Sequence, residues 1–284
     1  MTSNIAIVVP IISSTVTGDE LTSLRQCLRT LPNHDIIYLC SDKLNTDFYQ
    51  SLNREHSVPF HKQEFGQERF ASVAAYNMLC FDPLFYMAFA RYDYMLIYQL
   101  DAFIFRDDLD SWAEKGYDYI GAPWLCPWST EVNNINHWEV GNGGFCLRRV
   151  SAFIRLLNSP RLLNSPLKNY GRFTVEHPHS SLLKKAWYHF RSLTGYHNTL
   201  TYYISRSAQE DMSYAKCQYN HTLRMPSARE ALEFSFDMRP ATCYELNGNR
   251  LPMGCHMWYK YDNEKFWYPI IYNLLKTIKE TPHR

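Results

Sequence analysis

Residues 94–108 read YMLIYQLDAFIFRDD, an apolar and aromatic run with the composition of a strand buried on both faces. Gln99 and Asp101 stand at its centre. An unpaired carboxylate in a dry interior is costly. The run therefore has two outcomes. Either a core hydrogen bond satisfies Asp101, or the strand ends there and presents the carboxylate to a ligand at its carboxyl end.

The flanking pattern sets the fold around this run. NIAIVVPII is β-branched and reads as a strand of a parallel sheet. TGDE, Thr17 to Glu20, has capping-box spacing, and Leu21, Leu24, Leu28 and Leu31 follow at helical period. DIIYLCS predicts a second buried strand, and TDFYQSLNREH a short helix. QERFASVAAYNMLC predicts one helix with Phe70, Val73 and Asn77 on one side; Asp82-Pro83 then caps a helix over PLFYMAFARY. Further strands are expected at DYMLIYQLDAFIF, YDYIGAPW and GGFCLRR. Alternation of this kind predicts an α/β class with a mostly parallel central sheet flanked by helices. In such sheets ligands bind at the carboxyl ends of strands, where Asp101 is expected.

The segment 155–200 differs. It carries RLLNSP twice, at 155–160 and 161–166, then HPHSSLLKKAWYHF, and reads as a helical or loop insertion. From about 201 the pattern becomes compact again through QEDMSYA, EALEFSFDMRP and MGCHMWYK to the amphipathic NEKFWYPIIYNLLKTIKE. One domain over 1–284 is expected, in two halves, 1–125 and 126–284.

Composition narrows the partners. With 29 basic against 28 acidic residues, net charge +1, nothing favours nucleic acid. The eight cysteines include no C-x-x-C pair, which argues against structural zinc, and several sit in apolar runs as free thiols. MTSNIAIVVPIISS lacks a basic leader region, and no apolar run reaches the roughly 18 residues of a membrane span. A reducing cytoplasm is the expected compartment.

Four features carry chemistry: Gln99-Leu100-Asp101, VGNGGF at 140–145, Glu210-Asp211, and His256 in GCHMW. Each has an ordinary structural counterpart: a strand-end acid, a glycine turn, a helix N-terminal charge, a satisfied core histidine. Together and in this order, with IAIVVPI, AAYNMLC, YDYMLIYQLDAFIF, GYDYIGAPW, VGNGGFCLRR, QEDMSYA and PMGCHMW, they resemble the bacterial glycosyltransferases of the GT-A fold. Within these, the similarity is to a little-characterised family first catalogued as a domain of unknown function. It covers nearly all of the chain apart from 155–200.

The resemblance implies transfer of a sugar from a nucleotide-sugar donor, a UDP-sugar first, to a glycan or lipid-linked acceptor in bacterial surface polysaccharide or lipopolysaccharide synthesis. It places Mn²⁺ or Mg²⁺ on Asp101 and His256, where a hard cation bridges phosphates. The usual D-x-D reads Q-x-D here, so Gln99 contributes hydrogen bonds and no charge. In inverting enzymes of this fold an acidic pair supplies the general base, which implies Asp211 first and Glu210 second. Val9, Pro10 and Ile11, with Tyr76 and Asn77, are expected around the nucleotide. Trp124, Asn142, Gly143, Gly144 and Trp258 are expected around the sugars, the tryptophans as stacking platforms.

Two other readings fit the same residues: a catalytically inactive carbohydrate- or nucleotide-binding domain, and a nucleotidyltransferase. The second normally carries a basic, Gly-rich loop after strand one, where this chain has PIISSTVTGDE. The basic, aromatic stretch 181–191, SLLKKAWYHFR, is either a solvated helix or a contact with an anionic membrane or a lipid-linked acceptor. Membrane contact would place the chain on the inner face of the cytoplasmic membrane.

Overall fold

The computed structural model of the chain describes residues 3–125, 135, 138–158, 166–194, 209–215, 217 and 222–280. Cys126, most of the two hexapeptides and the end of the predicted insertion lie outside the described residues. In chain order the first half runs β1 (Ile5–Pro10), α1 (Gly18–Thr30), β2 (Asp35–Ser41), α2 (Asp47–Glu55) and β3 (His61–Phe65). It continues with α3 (Val73–Cys80), α4 (Pro83–Met87), β4 (Tyr94–Tyr98), β5 (Phe103–Ile104), α5 (Leu109–Glu114), β6 (Tyr119–Ile120) and β7 (Pro123–Leu125). Next come β8 (Trp138–Val140), β9 (Phe145–Arg149), α6 (Val150–Leu157), α7 (Pro166–Glu176), α8 (Leu182–Leu193) and α9 (Glu210–Ala215). The chain closes with α10 (Ala228–Phe234), β10 (Ser235–Phe236), α11 (Pro240–Leu246), β11 (Gly254–Cys255) and α12 (Glu264–Glu280).

Strand β1 shows why the sheet is central. Ile5, Ile7 and Val9 point into one apolar cluster with Leu24, Leu28 and Leu96, while Ala6 and Val8 point into another with Ile97, Phe85 and Phe153. The period-2 alternation of side chains thus meets a core on each side, the reason these strands read as continuous apolar runs. The sheet order is β3-β2-β1-β4-β9-β6. The strands β3, β2, β1 and β4 are parallel, and β9 runs antiparallel between β4 and β6. The α/β class with a mostly parallel sheet flanked by helices is therefore as expected. A smaller sheet, β10-β11-β5, and the β7-β8 pair complete the strands described.

Several local expectations are corrected. Thr17 precedes α1, but its side chain makes no capping hydrogen bond, so the capping box does not form. The predicted helix over 67–80 is divided. A 3-10 turn at Gln67–Phe70 is followed by α3, whose new start is capped by Ser72 accepting from Ala75 N. Asp82 caps α4 as expected, yet α4 ends at Met87 rather than running to Tyr92. YDYIGAPW divides into β6 and β7. DYMLIYQLDAFIF is not one strand either: β4 stops at Tyr98, a turn closed by Ala102 N–H donating to Gln99 O (2.9 Å) follows, and β5 joins another sheet.

A charged residue crosses the core. Arg148, inside β9, is fully buried among the rings of Tyr119, Phe153 and Tyr214, with its guanidinium 5.5–5.6 Å from their centroids. It donates to Tyr86 Oη (2.8 Å) and to Glu210 Oε1 (2.7 Å), which ties the sheet to the start of α9. Removing one partner of a buried pair leaves an uncompensated charge, at a cost of about 3–5 kcal/mol. Glu210→Gln is therefore expected to lose that order of stability in urea denaturation at neutral pH. The pair-removing variant Arg148→Met/Glu210→Leu should recover most of the loss. A single-variant cost below about 1 kcal/mol, the level of a surface pair, would show that the pair is not holding α9.

Candidate functional site

The carboxyl end of β4 opens onto a cleft of about 480 Å³. Its lining includes Gln99, Asn142, Gly143, Glu210, Asp211 and His256. Tyr76, Asn77, Trp124 and Gly144 line it too, so residues separated by up to 180 positions meet in one place. Asp101 lies just beneath, bonded to the histidine.

His256 follows β11 and is buried between two carboxylates. Its Nε2 lies 3.2 Å from Asp101 Oδ1 and 3.2 Å from Gln99 Oε1, and its Nδ1 lies 3.0 Å from Asp237 Oδ1. Burial pushes the imidazole pKa down, but Asp101 and Asp237 outweigh it and raise the value to about 10. Both ring nitrogens are then donors, one to each carboxylate. Asp101 responds in kind. Burial favours its neutral form, yet His256 and the Lys260 ammonium, 2.8 Å from Oδ2, hold its pKa well below the usual carboxylate range. The opening puzzle resolves on both counts: the strand ends, and the carboxylate is paired.

Glycine at 144 is a space requirement. A Cβ there would stand 2.0 Å from His256 Nε2, so the ring packs directly over the backbone. Gly143 is similar: a Cβ would meet Glu210 Oε1 at 2.7 Å. Neither has a positive φ, so the GNGG sequence serves close approach rather than a left-handed turn. Asn142 stabilises the loop by accepting from Gly144 N (3.0 Å) and Phe145 N (3.1 Å).

The two acids of α9 have separate environments. Glu210 is held by Arg148 through Oε1 and by the Asp211 N–H through Oε2 (2.7 Å). Asp211 accepts from Met212 N (2.7 Å) and Gly143 N (3.3 Å), with no cation among these partners. Burial first, and then the Glu210 carboxylate, raise the Asp211 pKa to about 7. A carboxylate titrating near neutrality in a cleft has the properties of a general base.

Other predicted site residues fall differently. Trp258 is a correction: it is fully buried against Phe103, Tyr259 and Tyr268, so it offers no face to a sugar. Trp124 stays partly open at the cleft, oriented by its indole N–H donating to Asp237 Oδ2 (2.7 Å). Val9 and Ile11 bury their side chains in the core, and the Ile11 N–H is used by Leu39 O (2.9 Å). Beyond half-buried Pro10, Ile12 lines a separate cleft of about 200 Å³ with Ser41, Lys43 and Phe70.

Three participants escaped the sequence reading. Asp237 sits in EFSFDMRP with no neighbouring motif to mark it. Lys260 lies four residues after His256, and its role depends on a loop in which Met257 and Tyr261 adopt positive φ. Arg148 was detectable: a charge inside the strand FCLRR is the same signal that singled out Asp101.

Comparison with known proteins gives one family and remote likenesses. No curated protein matches the chain. Among solved structures, core-mannan synthase A from Aspergillus fumigatus in its Mn/GDP form is similar at 9% identity. That match covers 76% of this chain and 70% of that one, with a TM-score of 0.43. The glycosyltransferase GlyE of Streptococcus pneumoniae TIGR4 is similar at 13% identity, with a TM-score of 0.46. It covers 96% of this chain, which spans 63% of GlyE. A family match extends over residues 59–256, a span that takes in Gln99, Asp101, Asn142, Asp211 and Asp237 and ends on His256. The chain belongs to that family, described as a protein of unknown function, DUF5672.

Proposed function

We propose that this chain is a glycosyltransferase that moves a sugar from a nucleoside-diphosphate donor, a UDP-sugar first, to a hydroxyl of a glycan or lipid-linked acceptor, with inversion. The observation that carries the reading is one cleft lined by His256 and Gln99, with Asp101 bonded to the histidine, and by a separate carboxylate of pKa about 7, Asp211. Transfer with inversion needs a base for the acceptor hydroxyl and a place for positive charge where the diphosphate departs.

The base is Asp211. Its carboxylate takes the acceptor proton as that oxygen attacks the anomeric carbon from the face opposite the diphosphate. Glu210 is unsuited to the role because Arg148 and the Asp211 N–H already use its oxygens. On the leaving-group side, Gln99 and Asn142 offer hydrogen bonds to hydroxyl or phosphate oxygens, while the charges of His256 and Lys260 are matched by Asp101 and Asp237, so a divalent cation would bring the net positive charge there. The partly open Trp124 ring is placed for a sugar face. Bacterial surface polysaccharide or lipopolysaccharide synthesis is the setting proposed for this reaction.

A divalent cation fits the donor set. Oδ1 of Asp101 and Oε1 of Gln99 each lie 3.2 Å from Nε2 of His256, and these three atoms would hold a cation once Nε2 gives up its proton, as binding of a metal to imidazole requires. Asp237 holds Nδ1 as outer carboxylates hold metal-bound imidazoles. Among the described residues no three His, Cys, Asp or Glu side chains are arranged to hold a metal ion; here the third donor would be the Gln99 amide. Mn²⁺ or Mg²⁺ held by Asp101, His256 and Gln99 would supply further charge to the leaving diphosphate.

Three outcomes test the reading. Thermal unfolding with UDP, GDP or CMP, with and without Mn²⁺, should show stabilisation by one nucleotide and a larger shift with metal; no shift with any pairing removes the nucleotide-sugar hypothesis. Asp101→Ala should abolish the metal-dependent part of that shift. Transfer by the wild type should fall about tenfold per pH unit below pH 7 as Asp211 gains a proton, and Asp211→Asn should bind nucleotide normally while losing transfer. An Asp211→Asn enzyme of full activity would overturn the base assignment.

The same carboxylate makes a stability prediction of opposite sense to most acids. Its folded pKa of about 7 lies above the unfolded value near 4, so its favourable contribution is complete below pH 4 and is lost as pH rises through 7. Asp211→Asn should match the wild type in thermal midpoint near pH 4 and exceed it at pH 8. Equal midpoints at both pH values would show that Asp211 is not raised.

A further inference from the structure

We propose that the outward face of α8 docks on an anionic lipid bilayer surface. Helix α8 is packed the reverse way round for a helix on a globular protein. Leu182 and Leu183 are 82% and 85% exposed, Trp187 59%, Phe190 54% and Leu193 53%. With Ala186 these side chains occupy a single arc of roughly 140° at 3.6 residues per turn. The opposite face is turned inward, onto α7: Tyr188 stacks on Phe173 with centroids 4.0 Å apart, and His189 meets Tyr170 edge-on at 5.0 Å. A surface helix ordinarily buries its apolar stripe and shows its polar one. Here the large apolar face is left to solvent.

Charge identifies the occupant. Exposed Lys184 borders the arc, where a long basic side chain reaches a headgroup layer while leucine and tryptophan enter the acyl boundary. From 155 to 209 the chain carries eight Lys or Arg and one acid, Glu176, although its overall charge is only +1. A protein partner with an apolar groove would need no such one-sided charge around it. An anionic bilayer accounts for both features. Trp187 stacked on Phe190, centroids 5.6 Å apart, supplies the aromatic anchor typical of that interface. No helix among the described residues is long and apolar enough to cross a membrane, so the contact lies in the plane of the surface. The inference is independent of the chemistry assigned to the cleft.

The test is co-sedimentation of the full chain with phosphatidylcholine vesicles, with and without phosphatidylglycerol, together with sedimentation velocity in the absence of lipid. Binding should require phosphatidylglycerol and weaken with salt. Leu183→Ser/Trp187→Ser should abolish it. Lys184→Gln should reduce it about fivefold, the gain expected from one basic residue near such a surface. Because Leu183, Trp187 and Lys184 are exposed, the variants' thermal midpoints should match the wild type, which separates lost docking from lost folding. Failure of the wild type to bind phosphatidylglycerol vesicles overturns the proposal. So does a wild-type dimer that Leu183→Ser/Trp187→Ser converts to monomer without any vesicle binding, because the face would then belong to a second copy.

Discussion

The site depends on one imidazole held between two carboxylates. His256 joins the end of β4 through Asp101 to the stretch after β10 through Asp237, and it rests on the backbone of Gly144 ahead of β9. Three distant segments of chain are thereby brought to a common point. Taking the group out of water disfavours its charge, and only the paired acids reverse that balance. The geometry is reciprocal, because Asp101 is buried and charged only while His256 and Lys260 face it. Even Trp124 takes its orientation from the same Asp237.

A second buried pair sets Glu210 and Asp211 in different surroundings. Arg148 is enclosed by aromatic rings and draws Glu210 inward, which seats the first turn of α9 against the sheet. Asp211 is then carried to the cleft beside Gly143 with only backbone donors and a neighbouring carboxylate. Adjacent residues with the same functional group thus have unlike surroundings, one bonded to a buried guanidinium and the other facing the cleft. The difference lies in what each carboxylate touches.

Much of the framework was legible. The strands β1, β2, β4 and β9 were readable because burial on both faces demands continuous apolar side chains. Asp82 was readable as a cap because proline follows it. Boundaries were less so: Ser72 restarts a helix within an apparently continuous pattern, and the run through Gln99 and Asp101 breaks into two strands in different sheets. The glycines of GNGG were visible but their reason was not, since the atoms that exclude a Cβ, His256 and Glu210, are more than 60 residues away. Trp258 illustrates the limit most simply: composition cannot say whether an indole faces a ligand or Phe103.

Helix α8 reverses the usual inference, because its pattern announces amphipathicity and gives no sign of which face is inside. Periodicity reports that a face exists, while packing against α7 decides that the side carrying Tyr188 and His189 is the inner one. What the sequence by itself determined is the α/β class, the central strands and the residue types gathered at the end of β4, because local periodicity and burial act through neighbours in the chain. What only the tertiary structure decided is the partnership of Asp101 with His256 and Lys260, the bonding of Arg148 to Glu210 rather than to Asp211, and the burial of Trp258. Charge interactions and steric exclusion depend on distance in space, and the chain order does not contain that distance.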